Sequence, residues 1–202
     1  MKILIVGGNG TIGKKVSAHL AQKHEVIIGG RTSGDVQVEI ADSASIQAMF
    51  DEVSTVDAIV CIAGEAKWGS FNDLSEEDYY IGLRSKLMGQ VNLVRIGQNY
   101  LTENGSITLS TGILADHPVA KTASAAMVNG GIHSFAKAAA LELMKKCRLN
   151  VVSCGLVEDS VYKYEDYFPG HNPIPMDKVI NCYLKAILGH ETGQIIQMYD
   201  NT

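Results

Sequence analysis

The chain is expected to fold as an α/β domain, a doubly wound parallel sheet of about seven strands with helices on both faces. Three observations lead there. Short β-branched runs alternate with longer helical runs along the sequence. The strand candidates are mainly apolar, as expected of strands covered on both faces. The first of them runs directly into a glycine-rich turn that opens a helix.

Strands are expected over 2–7, 25–29, 36–40, 56–62, 106–110, 150–153 and 194–199. Helices are expected between them, over 11–22, 45–53, 75–101, 123–146 and 176–188. In the long helix four, Leu83, Leu87, Val91 and Val94 recur at a helical period; in helix five, Ile132, Phe135, Ala139 and Leu143 do the same. Gly105 is expected to end helix four and open strand five. No repeat, low-complexity segment or linker interrupts the pattern, so residues 1–202 are read as one dinucleotide-binding domain of Rossmann type. The irregular stretches 65–72, 112–122 and 158–175 each follow a strand end. In a parallel sheet such loops sit at the carboxyl edge, where ligands bind. The last holds Tyr162, Tyr164, Tyr167, Phe168 and three prolines, and is a candidate lid.

Composition excludes several classes. Apolar residues make up 46% of the chain and charged ones 19%, too apolar for disorder. Net charge is -5 and no basic run stands out, which argues against a nucleic-acid partner. The longest apolar runs are too short to span a bilayer, so no membrane association is expected. The opening apolar stretch is too short for a signal-peptide core, and a cytoplasmic location is expected. Cysteines at 61, 147, 154 and 182 form no CxxC pair and match no zinc spacing; they read as reduced, buried thiols. Six histidines are scattered without metal spacing, so no metal is expected. No GxSxG elbow supports a serine hydrolase.

The first strand ends in Gly7-Gly8-Asn9-Gly10-Thr11-Ile12-Gly13, and Gly8, Gly10 and Gly13 fit GxGxxG. Glycines permit the tight turn and let backbone N–H groups approach a diphosphate at the helix N-terminus. Gly7, Gly8, Gly10, Thr11, Ile12 and Gly13 are therefore the expected diphosphate cradle. Gly8, Gly13 and Lys14 also approach the triphosphate P-loop, but Lys15 stands where a magnesium-holding hydroxyl is needed. A nucleoside-triphosphate binder is thus the minor alternative. The second strand ends in Arg31, Thr32 and Ser33, without the acid that grips the ribose in NAD binders. A guanidinium there suits the 2′-phosphate of NADP, with Thr32 beside it, so NADP is favoured over NAD.

With these features in place, the chain resembles the short-chain dehydrogenase/reductase family along essentially its whole length. Cys61-Ile62-Ala63-Gly64 is similar to the family's NNAG after strand four, and the residues from Ser106 to Thr111 are similar to the strand that delivers the catalytic serine. The run from Phe135 to Leu143 resembles the helix ending LAxEL, and Val151 to Val157 resembles VxPGxV, which lies against nicotinamide. The resemblance implies that Asp42 faces the adenine, that Ala63 and Gly64 line the ribose side, and that Ser110 or Thr111 orients a substrate carbonyl. It also implies a homodimer or homotetramer through helices four and five.

The chain departs from the family in two ways. Residues 32–35 alone separate strands two and three, so a crossover helix is missing. More consequentially, the family's YxxxK tyrosine and lysine positions fall on Ala125 and Asn129, and Lys86 replaces the asparagine of helix four. Lys86 is the best substitute acid, since a lysine in a cleft can have a lowered pKa; Tyr162, Tyr164, Tyr167 and His117 are loop-borne candidates. Ser124 is expected to cap helix five, and His133 to be a core or interface histidine. The expected function is an NADP(H)-dependent oxidoreductase with a non-standard site, acting on a small carbonyl, alcohol or enoyl substrate. The alternative is a catalytically impaired NADP-binding sensor.

Overall fold

Strand β1 (Lys2–Val6) and helix α1 (Thr11–Leu20) build the first crossover, and β2 (Glu25–Gly30) returns beside β1. This is seen in a computed structural model whose described residues are 1–143 and 146–199. The chain continues through β3 (Val36–Gln37), α2 (Ser43–Val53) and β4 (Val56–Cys61). Next come α3 (Glu76–Gly82), one π-helical turn (Leu83–Met88) and α4 (Gly89–Gly97). Then follow β5 (Leu101–Gly112), α5 (Ala123–Leu143), β6 (Arg148–Cys154), the short α6 (Val161–Tyr164), α7 (Met176–Leu188) and β7 (Ile195–Met198).

All seven strands pair in parallel in the order β3-β2-β1-β4-β5-β6-β7. This is the doubly wound Rossmann arrangement, with the order reversing between β1 and β4. Side chains alternate across the sheet. Leu4, Val6, Ile59, Leu109 and Val151 face α2, α4 and α5, while Ile3, Ile5, Val60 and Val152 face α1 and α7. The two apolar layers fix the strand register, since a one-residue slip would turn each layer outward.

The expected elements are present, with instructive shifts. Strand β3 keeps only two residues, because the Glu39 amide bonds Ser45 Oγ and the Asp42 amide bonds the Glu39 carbonyl, turning the chain into α2. Residues 31–35 form a tight turn without a helix, closed by Asp35 N–H on the Ile28 carbonyl at 2.7 Å. The long helix four is three consecutive helical segments and stops at Gly97. Gly105 does not end it: Leu101 already pairs with Val56, and Gly105 lies inside β5 beside a register break. Helix α5 runs to Leu143; the remainder of its expected span includes 144–145, which lie outside the described residues. Ser124 is not its cap but sits within its first turn, buried, with no hydrogen-bond partner for Oγ among the described residues. All four cysteines are free and buried.

Candidate active site

The carboxyl edge of β1 carries a cradle that only glycine can form. Gly7 has φ +85°, and a Cβ there would stand 2.8 Å from the Ile62 carbonyl oxygen. A Cβ on Gly13 would come within 2.2 Å of the Gly7 oxygen, so α1 packs directly on the turn. Gly10 precedes the helix without a side-chain cap, and Lys14 N–H is the first amide to bond back, to Gly10 O at 2.9 Å. The amides of Thr11, Ile12 and Gly13 therefore point outward from a helix N-terminus with no backbone acceptor among the described residues. This fits a diphosphate. The triphosphate alternative gains nothing: Lys15 Nζ pairs with Asp159 at 3.3 Å, and no hydroxyl follows Lys14.

Beside the cradle is a pocket of about 250 Å³ reached by Gly7, Arg31, Ala63 and Gly64. Arg31 Nη1 lies 3.7 Å from Glu39 and 3.8 Å from Glu65. Thr32 is exposed and outside this lining. Asp42 is also outside this lining. Its carboxylate accepts from the Ala44 amide at 2.9 Å as the N-cap of α2, and Glu39 and Ile40 line the pocket instead.

Gly64 joins this pocket to a larger cleft of about 680 Å³. Ile12, Lys86, Thr111, Gly112, Ala125 and Asn129 lie along one side. Trp68, Tyr164, Tyr167 and Phe168 form the other, packed ring against ring with centroids 5.1 to 6.5 Å from Trp68. The expected lid segment, α6 and its neighbouring turns, thus contributes part of the cleft lining. Tyr162 instead points to solvent, and His117 packs edge-on against Tyr199 outside the lining. Lys86 reaches the cleft with no hydrogen bond or ion pair among the described residues, and burial pulls its ammonium below the ordinary lysine pKa. Its stem is fixed at the junction, because a Cβ on Gly64 would touch Lys86 Cα at 2.8 Å. Asn129 is buried, and its Oδ1 also lacks a partner.

Strand alternation separates the two hydroxyl candidates. Ser110 is not in the cleft: its side chain faces α7 and bonds Tyr183 Oη at 2.7 Å. Thr111 lines the cleft and its Oγ1 lies 2.8 Å from His133 Nε2. Sequence reading gave no part to Gln90. This buried side chain accepts from the Ser110 amide and donates to the carbonyls of Ser110 and Ala63, tying the ends of β4 and β5 together.

The family model described as Enoyl-(Acyl carrier protein) reductase matches residues 3–170. The chain belongs to the short-chain dehydrogenase/reductase family. Among solved structures, this family member is similar to the protein lin1944 from Listeria innocua, at 43% identity and TM-score 0.96, over 98% of this chain and 100% of that one. It is also similar to a small-chain dehydrogenase solved in complex with NADPH, at 26% identity and TM-score 0.87, over 98% and 96% of the two chains. A short chain dehydrogenase from Burkholderia cenocepacia in complex with NADP shares the fold at 18% identity, TM-score 0.85, over 98% and 95%. None of the curated proteins matches the chain.

Proposed function

We propose that this short-chain dehydrogenase/reductase is an NADP(H)-dependent oxidoreductase acting on a small carbonyl, alcohol or enoyl compound. The observation that carries the reading is the pair of clefts meeting at Gly64: a glycine cradle and Arg31 border one, and an unpartnered lysine, a threonine hydroxyl and an aromatic wall border the other. The NADPH complex of the small-chain dehydrogenase lends further support.

NADPH, when bound, supplies the hydride. The Thr11, Ile12 and Gly13 amides hold its diphosphate, with Gly7, Gly8 and Gly10 giving the backbone room to approach. Arg31 takes the 2′-phosphate, with Thr32 beside it. Its present ion pairs are exposed, worth about 0–1 kcal/mol each. A bidentate phosphate contact is stronger and displaces them. Ala63 and Gly64 border the ribose side, where Asn129 Oδ1 is ready to accept from a hydroxyl. Lys86 balances negative charge growing on the substrate oxygen, and Thr111 hydrogen-bonds that oxygen. The aromatic wall excludes water and favours a flat, apolar substrate body. Calorimetric titration tests the cofactor: the expected result is binding of NADPH at least ten times tighter than NADH, a preference lost in Arg31→Ala. NADPH consumption over a panel of aryl aldehydes, 1,2-diketones and enoyl thioesters tests turnover. Equal affinity for both coenzymes, or no consumption across the panel, overturns the corresponding half of the reading.

We also assign a homodimer or homotetramer built on α3–α4 and α5, and a cytoplasmic location consistent with four free buried thiols. No helix among the described residues is long and apolar enough to cross a membrane.

A further inference from the structure

A line of polar groups runs through the wall of the larger cleft to solvent. It starts at Thr111 on β5, whose Oγ1 is 2.8 Å from Nε2 of His133 on α5. His133 is only 7% exposed. Its Nδ1 lies 3.9 Å from Oδ2 of Asp116, in the turn after β5. The Asp116 side chain is 35% exposed, so the line reaches water there. The same carboxylate oxygen accepts from Tyr199 Oη at 2.7 Å and from Gln197 Nε2 at 3.0 Å, which holds it in place from the β7 end. Tyr199 Oη in turn meets Ser153 Oγ of β6 at 2.6 Å. A threonine hydroxyl alone is a poor acid, and stability alone does not call for an ionisable ring behind it, since an apolar side chain fills such a wall at less cost.

We propose that Thr111, His133 and Asp116 form the proton path of the reaction: Thr111 touches the substrate oxygen, and His133 and Asp116 are positioning residues that refill it. The proposal rests on the oxidoreductase reading above. In carbonyl reduction, the carbonyl carbon gains hydride from reduced nicotinamide and the C=O π pair moves to oxygen. That oxygen takes the Thr111 hydroxyl proton. Thr111 Oγ1 takes the Nε2 proton of the His133 imidazolium, which becomes neutral. Neutral His133 keeps its Nδ1 proton; a turn of the ring brings that N–H to Thr111 and the bare nitrogen to Asp116, where a hydronium ion from bulk solvent protonates it and leaves water. Alcohol oxidation runs the same transfers backwards and needs neutral His133, with Nδ1–H facing Asp116 and Nε2 accepting from Thr111.

The direction of the path is therefore set by the charge of His133. Asp116 from the turn and Lys137 from its own helix are the charged groups that act on it, while Tyr199 reaches it only through Asp116. Burial lowers the His133 pKa below the ordinary histidine value, Asp116 works against this, and Lys137 works with it. Reduction is thus fastest below that depressed pKa and falls as pH rises through it, while oxidation rises over the same interval.

The test uses the full chain labelled with ring-¹⁵N histidine, first without substrate. His133 is expected to titrate below the ordinary value of ~6.5, and its titration is expected to move in Thr111→Val but not in Thr111→Ser. A ring that stays neutral from about pH 4 to pH 9, or one indifferent to Thr111→Val, overturns the proposal. Turnover is then measured with NADPH and the aryl aldehyde or diketone that the wild type reduces. His133→Gln, which keeps a polar side chain, is expected to lower kcat about 10²-fold or more and to flatten the pH profile, with NADPH affinity unchanged. Retained rate and profile in His133→Gln overturn the path while leaving the oxidoreductase reading intact. Loss of NADPH binding by the wild type overturns that reading instead, and a wild type that binds NADPH but reduces nothing overturns the path.

Discussion

A methyl group on Gly13 would stand 2.2 Å from the Gly7 oxygen and 2.9 Å from the Gly8 backbone, with no flexible neighbour to yield. Gly13→Ala must therefore reopen the turn. It is expected to cost about 1–3 kcal/mol of stability and to abolish NADPH binding, read by thermal melting and by cofactor fluorescence. Lys86 presents the opposite trade. The half-buried side chain stands in the cleft without a partner, and its partial desolvation disfavours the charged form. Because its folded pKa lies below its unfolded one, the unfolded chain binds more protons, and stability rises with pH between the depressed value and ~10.4. Lys86→Met keeps the stem against Gly64 and is expected to melt higher at neutral pH, to lose that alkaline gain, and to lower kcat by about 10²-fold. A variant neither stabilised nor slowed would mean that Lys86 is solvated and idle. At this scale the sequence was legible where chemistry is local. The cradle glycines and Arg31 lie where their spacing put them. Ser110 was misplaced because strand parity is invisible until the register is known, and the His133–Asp116 pairing joins elements 17 residues apart that no short motif links.

Elements defined by periodicity were read closely, and their ends less so. The helix expected from residue 123 starts at Ala123, and the apolar run of β4 predicted a strand over nearly the observed span. Helix four failed at its end, where propensity was overruled by tertiary contacts: Tyr100 stacks on Phe50 at 5.1 Å, and Leu101 joins the sheet. The aromatic, proline-rich loop was visible as a candidate lid, but the ring it packs on was not, because Trp68 is about a hundred residues away in the loop after β4. Trp68 is the chain's single tryptophan and touches Tyr164 and Tyr167, so it reports on this element without labelling. Its emission is expected to change when 2-naphthaldehyde is added to the NADP⁺ complex. Trp68→Ala is expected to raise KM several-fold more than it lowers kcat, since it loosens the wall and leaves Thr111 and Lys86 untouched. An unaltered KM would show that the lid does not contact substrate.

The molecule as a whole leaves apolar side chains on one flank. Met127 and Leu141 are 43% and 74% exposed, and their spacing of fourteen residues, close to four helical turns, puts them on the same outer line of α5. Ser134 and Ala138 lie between them on that line and are also exposed. Gly130 adds no bulk, and a Cβ there would meet nothing within 4 Å. Ile81 and Met88, two turns apart on the preceding helical run, are exposed at 39% and 43%. The inner faces of these helices are already spent on the sheet, so the outer stripe is surplus to the fold of one chain. Small residues beside large apolar ones allow two helices to approach closely, and a twofold axis pairs such a stripe with its own copy. Sedimentation of the wild type is expected to give at least twice the chain mass. Met127→Glu with Leu141→Glu places two charges per chain on the stripe, where they face their copies across the axis, and is expected to yield the single-chain mass without loss of thermal cooperativity. If the wild type already sediments as one chain, or the double variant keeps the larger mass, the α5 flank is not the contact between subunits.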